Sequence, residues 1–309
     1  MKELFAIFLK GAAMGAANVI PGVSGGTVAF ITGIYERLIN ALKNLDGGAL
    51  KLLFAGCFRD LSAKIDFPFL AALGLGVVVS ILTFAEILKY FFVNHAVYVW
   101  SFFFGLIVAS VYFVGKQVKA WSLGTVFALL VGAAIAVGVA LLKPASENDN
   151  VVYLFLCGII AMASMIIPGI SGSFVLLLLG NYQLIMIESV SKLKSLEPEA
   201  FSILIPVGAG AVFGMIVLSH FLAWIFRRFH NHAVSLLTGF VAGSLLVIWP
   251  WKEAIVSTFE AAGVVKEKVI GYDWFLPVAE MTTFIALGIM GLGVLLVWVM
   301  EKYGAVKEA

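Results

Sequence analysis

The chain has 309 residues, 62% of them hydrophobic and 12% charged, with a formal net charge of +2 and a mean hydropathy of +1.08. Soluble domains use roughly 45–50% apolar residues, so the composition excludes an ordinary soluble protein and indicates a polytopic membrane protein. No basic stripe or patch is present, which excludes a nucleic-acid partner.

In chain order, the apolar run 4–9 before Lys10 is too short for the hydrophobic region of a signal peptide, so the start reads as a mature N-terminus. Residues 11–34 form an apolar stretch interrupted by Pro and Gly in VIPGVSGGT (19–27). Residues 40–66 put Leu50, Leu53, Phe54, Cys57, Phe58 and Leu61 on one helical face, with Lys51 and Arg59 off it. That is the pattern of an amphipathic helix lying on the bilayer surface. Residues 67–89, 96–115 and 120–142 each suffice to cross a hydrocarbon core of about 30 Å, which takes about 20 helical residues. A second interrupted stretch, 152–187, is followed by three further spans at 201–226, 233–251 and 275–300. Backbone groups in lipid must pair with one another, and no segment shows the alternation of a barrel strand, so the fold class is all-α. Cys57 falls in a charged loop and Cys157 in an apolar segment, which leaves neither a disulfide nor a metal site, and no cofactor is expected.

The chain also repeats itself. Residues 20–25 read IPGVSG and residues 167–172 read IPGISG, an offset of 147 that continues through Gly11 and Gly158, Ser24 and Ser171, Gly33 and Gly180, and Tyr35 and Tyr182. A second block recurs at a nearby spacing, with NHAV at 94–97 and 231–234, then Gly105 with Gly239 and Ser110 with Ser244. Two units follow, 1–147 and 148–309, each an interrupted segment and three spans. If the interrupted segments are re-entrant hairpins and the N-terminus is cytoplasmic, 13 of the 20 Lys and Arg lie on the cytoplasmic side and 7 outside. If they cross fully, the count is 8 inside against 12 outside, or the reverse when the chain is turned over. Cytoplasmic loops are enriched in Lys and Arg, which favours the re-entrant arrangement. Each half then has an odd number of crossings, so the expected architecture is two inverted repeats with both termini cytoplasmic.

A helix that begins inside the membrane presents unpaired N–H groups and the positive end of its dipole, which suits an anion. Asn18, Ser24, Gly25, Gly26 and Thr27 from the first hairpin, with Ser171, Gly172 and Ser173 from the second, put small side chains and bare backbone at that point. Glycine lets a ligand approach closely, and Ser or Thr adds donors without bulk. For one such motif a close-packed seam is the better reading, since Gly11 and Gly15 form a small-xxx-small pair. Duplication in opposed halves shifts the balance to a shared substrate site near the midplane. Arg37, directly after the first hairpin, is placed to meet an anionic headgroup. Glu86 and Lys89 sit three apart and suit a pair near a helix end. Glu86 also falls opposite His220 in the repeat register, which makes the two a candidate pair for proton handling, and Glu36, next to Arg37, is a further candidate.

The stretches GAANVIPGVSGGTVAFITGIYERLI (15–39) and SMIIPGISGSFVLLLLGNYQLI (164–185) resemble the bacterial polyprenyl-phosphate transporters, and the resemblance covers nearly the whole chain. It implies translocation of undecaprenyl phosphate, the lipid carrier of cell-wall precursors, from the outer to the inner leaflet of the cytoplasmic membrane, with the bilayer as the working environment. The matching motif positions are Asn18, Pro21, Gly22, Ser24, Gly25, Gly26, Thr27, Tyr35 and Glu36, then Pro168, Gly169, Ser171, Gly172, Ser173 and Tyr182. The second half has Met165, Phe174 and Gln183 in place of Asn18, Thr27 and Glu36, so unequal half-sites are expected. Nothing in the sequence indicates an oligomer, and nothing forbids one.

This substrate class fits the physics of the hairpins. Dipole ends contribute about 0.3–2 kcal/mol each, short of the cost of desolvating a phosphate. Moving a negative charge inward against an inside-negative potential costs about 2.3 kcal/mol per 100 mV, so proton co-transport through Glu36, Glu86 or His220 is expected. Undecaprenyl-pyrophosphate phosphatases share the hairpins and a Pro-Gly-x-Ser signature. Here, however, Gly25 and Gly172 follow the serines where an Arg is expected, and no close glutamate pair lies within a span. An anion channel or small-anion carrier is compatible with the same tips. No P-loop, HExxH or nucleophile-elbow motif is present.

Overall fold

The fold was obtained as a computed structural model, which describes residues 2–19, 24–189, 192–193, 197–261 and 264–304. The first interrupted segment forms α1 (Lys2–Val19) and α2 (Gly25–Ile31), followed by α3 (Tyr35–Lys43). The break at Ile20, Pro21, Gly22 and Val23 lies outside the described residues. Ser24 caps α2, its hydroxyl accepting the Gly26 N–H at 3.2 Å. At the other end, Gly33 stands at φ +71, with Ile34 N–H bonded to the Ala29 carbonyl at 3.0 Å and Gly33 N–H to the Phe30 carbonyl at 3.3 Å. Only glycine adopts this left-handed closure without strain.

The second interrupted segment is built the same way, as α8 (Val151–Ile166) and α9 (Gly172–Leu178). Gly180 stands at φ +78, with Asn181 N–H bonded to Leu176 and Gly180 N–H to Leu177, both at 3.0 Å. The sequence match of Gly33 and Gly180 is thus a match of backbone geometry. A π-helix, Gln183–Ser189, follows in place of α3.

The surface segment departs from the single amphipathic helix expected for 40–66. It forms two short helices, α4 (Gly47–Phe54) and α5 (Phe58–Lys64), separated by Gly56 at φ +70. Leu50, Leu53, Phe54 and Phe58 are exposed as the pattern requires. Asp46 caps α4 through the Ala49 N–H at 2.9 Å and pairs with Lys64 of α5 at 2.6 Å, which holds the Asp46 carboxyl down at about 2.

The expected spans 67–89 and 96–115 are joined without a loop in α6 (Phe67–Gly115), and 201–226 and 233–251 are joined in α10 (Pro198–Gly243), which a single-turn 3₁₀ helix, Ser244–Leu246, extends. One residue in each leaves helical geometry, His95 at φ −144 and Phe229 at φ −137. These kinks lie at the 134-residue spacing of Gly105 and Gly239. At about 1.5 Å per residue, either run is roughly 70 Å long, more than twice a hydrocarbon core of about 30 Å. The remaining long helices are α7 (Leu123–Ala140) and α11 (Met281–Gly304). By length and composition, the described helices able to cross a membrane are Asn94–Gly115, Leu123–Ala140, Pro198–Leu246 and Met281–Val299, with Phe58–Lys64 and Phe67–Thr83 as a further pair bent by 70°.

Glycines set the helix spacing, and each contact has a counterpart in the other half. A methyl group on Gly11 of α1 would fall 2.2 Å from the Leu73 carbonyl oxygen of α6, and one on Gly158 of α8 would fall 2.1 Å from that of Val207 in α10. Gly105 of α6 abuts Met290 of α11, while Gly239 of α10 abuts Leu129 of α7, each with 2.0 Å to the carbonyl oxygen. The long helix of each half therefore packs on the last helix of the other. Their own crossing is reciprocal as well: Gly115 lies against Thr238 and Phe104 against Trp249, and 238 and 249 repeat 104 and 115 at a spacing of 134. The main core lies where these elements meet, around Phe30, Tyr35, Ile39, Phe69, Phe226 and Leu237.

The connector between residues 251 and 275 is a β-hairpin. Strand β1 (Lys252–Ala261) pairs antiparallel with β2 (Val264–Trp274), Lys252 opposite Trp274, with a register shift between Ile255 and Val256. The segment carries four Val and two Ile, residues suited to a pleated surface. Two indoles anchor it to the bundle, with Trp274 Nε1 donating to Leu246 at 3.0 Å and Trp249 Nε1 to Phe275 at 3.1 Å.

Candidate functional site

The two hairpin tips meet inside the protein. Thr27 Oγ1 accepts the Gly169 N–H at 2.8 Å, and Ser24 Oγ donates to the Met165 carbonyl at 3.4 Å. Tyr35, buried behind the first tip, donates its phenol proton to the Ile166 carbonyl at 3.0 Å. Ser24, Thr27 and Ser171 are all more than nine-tenths buried. Gly26 is where the backbones approach, since a methyl there would fall 2.8 Å from the Ile166 carbonyl oxygen. Gly169 stands at φ +88 and is pressed on α10, with 2.5 Å between such a methyl and the Phe240 carbonyl oxygen.

The two tips differ in their free donors. In the first, Asn18 Oδ1 accepts the Gly25 N–H at 2.8 Å, Ser24 Oγ takes that of Gly26, and the Ser24 carbonyl takes that of Thr27 at 3.0 Å. The leading N–H groups of α2 are therefore already satisfied. In the second, Met165 occupies the place of Asn18 beside Gly172 and offers no oxygen. Ser171 makes no cap bond, and its hydroxyl pairs instead with that of Ser173 at 2.9 Å. The sequence difference of Asn18 and Met165 thus appears as a capped tip facing an uncapped one.

Arg37 is not gathered into the tips. Its guanidinium pairs with Asp66 at 2.6 Å and Glu3 at 2.8 Å and lies 4.5 Å above the Phe69 ring, at the base of the first hairpin. The hydrogen bond it donates to Asp66 pushes its already high pKa higher still. Glu36 pairs with His230 at 3.0 Å, one residue past the kink of α10. His220 donates Nδ1–H to the Ile216 carbonyl one turn back at 2.8 Å. Glu86 and Lys89 lie on α6, and their side chains are outside the described residues. His230 and the backbone of Met165 and Ile166 were not singled out by the sequence. Tyr35 and Gly169 were motif matches without an assigned role, and the repeat of Tyr35 by Tyr182 was the one signal pointing to the former.

Fold and site together define a polytopic α-helical membrane protein with two broken hairpins apposed tip to tip. Within that class, the chain belongs to the VCA0040-like family, described as undecaprenyl phosphate translocase-like, whose profile matches residues 14–266. It is 36% identical over 301 residues to a polyprenyl-phosphate transporter of Vibrio cholerae serotype O1, with 96% of each chain covered. It is 28% identical over 254 residues to a polyprenyl-phosphate transporter of Staphylococcus aureus, covering 78% of this chain and 85% of that one. No solved structure matches the chain.

Proposed function

We propose that this chain carries undecaprenyl phosphate from the outer to the inner leaflet of the bacterial cytoplasmic membrane, as a transporter and not an enzyme, with both termini cytoplasmic. The observation that carries this reading is the meeting of two buried hairpin tips in a chain whose relatives are named polyprenyl-phosphate transporters. The reciprocal packing of α6 on α11 and α10 on α7 supports two repeats related by a two-fold axis, and the distribution of Lys and Arg favours opposite orientation, the plan in which a substrate site sits between repeats near the midplane.

In this reading the apposed tips are the closed state of the path. The headgroup enters by parting them, and its phosphate oxygens replace Thr27 Oγ1 at the Gly169 N–H and take donors from Ser171, Gly172 and Ser173, while Asn18, Ser24, Gly25 and Gly26 shape the opposite wall. The polyprenyl tail stays in lipid, so only the headgroup needs shelter. Arg37 receives the phosphate at the cytoplasmic base by exchanging Asp66 and Glu3 for it. A proton travels with the lipid, since an inward negative charge works against the membrane potential at about 2.3 kcal/mol per 100 mV. Glu36 with its partner His230, Glu86 and His220 are the candidate carriers.

The test is leaflet-resolved transport of labelled undecaprenyl phosphate in proteoliposomes, with and without a pH gradient. Protein-dependent movement accelerated by an inward proton gradient is expected. Movement of chloride or inorganic phosphate with no lipid movement would make the protein a small-anion channel instead.

A further inference from the structure

Lys252, the first residue of β1, is partly buried at the end of the bundle where the β-hairpin docks. Its ammonium donates to the Val247 carbonyl and lies 3.8 Å above the Trp100 ring and 4.7 Å above the Tyr272 ring. Among the described residues it has no carboxylate partner. At the same junction of hairpin and bundle is a mostly apolar cavity of about 460 Å³, lined by Phe104, Leu246, Trp249, Trp274 and Phe275. Cavity and ammonium share their supports. Trp274 is the register partner of Lys252, Leu246 precedes Val247, and Phe104 lies one turn beyond Trp100.

An unpaired cation held away from water is costly unless an anion completes it. An aromatic-walled cavity next to that cation adds a requirement for hydrocarbon. A free inorganic anion uses only the first feature and an uncharged lipid only the second, whereas a lipid phosphate uses both. We propose that Lys252 and its aromatic surround form a receiving site for the phosphate of a polyprenyl lipid, outside the hairpin tips, with the first isoprene units in the adjoining cavity. This rests on the transport reading above, in whose topology the β-hairpin end faces outward, where the lipid is collected.

The charge state of the ammonium supports the assignment. Burial pushes Lys252 down to about 7, so its amine is charged below that pH and loses its charge above it. A bound anion favours the charged form, so the lysine takes up a proton as the lipid arrives. The groups around it do not compete for this role. From β2 it faces the Tyr272 phenol, which burial keeps protonated, and from α6 it faces the uncharged Trp100. Glu253 and Asp273 stand opposite each other at the next rung, exposed on the other face of the ribbon. His95 and Glu280 line a separate cavity of about 560 Å³, beyond Trp251.

The full-length protein in nanodiscs, titrated with farnesyl phosphate, farnesol and inorganic phosphate, tests the site. Farnesyl phosphate is expected to bind wild type and Lys252→Arg within about threefold of each other and Lys252→Gln at least tenfold more weakly, with farnesol unaffected by either change and inorganic phosphate not bound. Wild-type affinity for farnesyl phosphate should weaken severalfold from pH 6 to pH 8, although the phosphate itself becomes more negative over that range; this arm needs no variant to fold. Equal binding by Lys252→Gln, equal binding of inorganic phosphate, or affinity that rises with pH overturns the site. Wild-type transport of labelled undecaprenyl phosphate, run in parallel, separates the two readings. Transport unaltered in Lys252→Gln together with unaltered binding removes the receiving site alone, whereas a wild type that moves no lipid removes the transport reading and leaves the binding arm to decide the Lys252 site.

Discussion

Thr27 accepts a hydrogen bond from the Gly169 N–H at 2.8 Å across 142 residues of sequence, and it does so with both groups buried. Thr27→Val keeps the shape and removes the acceptor, which leaves a buried N–H unpaired at a cost of about 1–3 kcal/mol. The thermal midpoint in detergent should fall and lipid transport should slow with it, while Thr27→Ser retains both. An unchanged midpoint for the valine variant would show that the tips are not held by this bond.

The glycine contacts predict matched effects in the two halves. Gly105→Ala and Gly239→Ala each place a methyl 2.0 Å from a carbonyl oxygen of a neighbouring helix, so the helices must separate, at about 1–3 kcal/mol. Gly138→Ala in α7 and Gly288→Ala in α11 meet nothing within 4 Å and should be neutral or stabilising by up to about 1 kcal/mol. Unfolding midpoints of the four variants check the pattern, and a harmless Gly239→Ala beside a harmful Gly105→Ala would break the correspondence of the halves.

Gly33 and Gly180 share a left-handed backbone but not their surroundings. An alanine at either pays about 1–2 kcal/mol for its conformation. At Gly180 the methyl also meets the Ala145 carbonyl oxygen at 2.4 Å, whereas at Gly33 it meets open space. Gly180→Ala should therefore lower the unfolding midpoint clearly more than Gly33→Ala.

Cys57 is exposed beside α5 and Cys157 is buried in α8. In the proposed topology an impermeant maleimide labels Cys57 from the cytoplasmic side only and leaves Cys157 unreacted until the protein unfolds. Asn148→Cys, in the exposed stretch before α8, should be labelled from outside. Reaction of both Cys57 and the residue 148 thiol from one side would exclude the inverted arrangement.

Much of the helical plan was legible in the residues because burial in lipid is a local demand, met by long apolar runs such as 123–140 and 281–299. The repeat was legible for a different reason. Gly11, Gly33, Gly105 and their partners 147 or 134 positions on sit where a side chain has no room or the backbone turns left-handed, so identity at these positions reports geometry directly. The joining of 67–89 to 96–115 was not legible, because nothing in Asn94-His95-Ala96 distinguishes a loop from a helix that bends at one residue. The β-hairpin escaped notice because its strands, between two apolar spans, lack the regular alternation of a half-buried sheet.

What the sequence by itself determined is that this is a membrane protein of duplicated design, broken at two Pro-Gly motifs rich in small polar residues. Those facts follow from hydropathy and from the conformations that glycine and proline permit, properties each residue carries alone. The tertiary structure decided which donor meets which acceptor. It gives the first tip's N–H groups to Asn18 and Ser24, leaves the second tip uncapped, commits Arg37 to Asp66 and Glu3, and sets Lys252 among aromatic rings with no carboxylate partner among the described residues. Each of these depends on two segments far apart in the chain being brought within about 3–5 Å, the range over which hydrogen bonds, ion pairs and cation–π contacts act, and no single stretch of sequence encodes that distance.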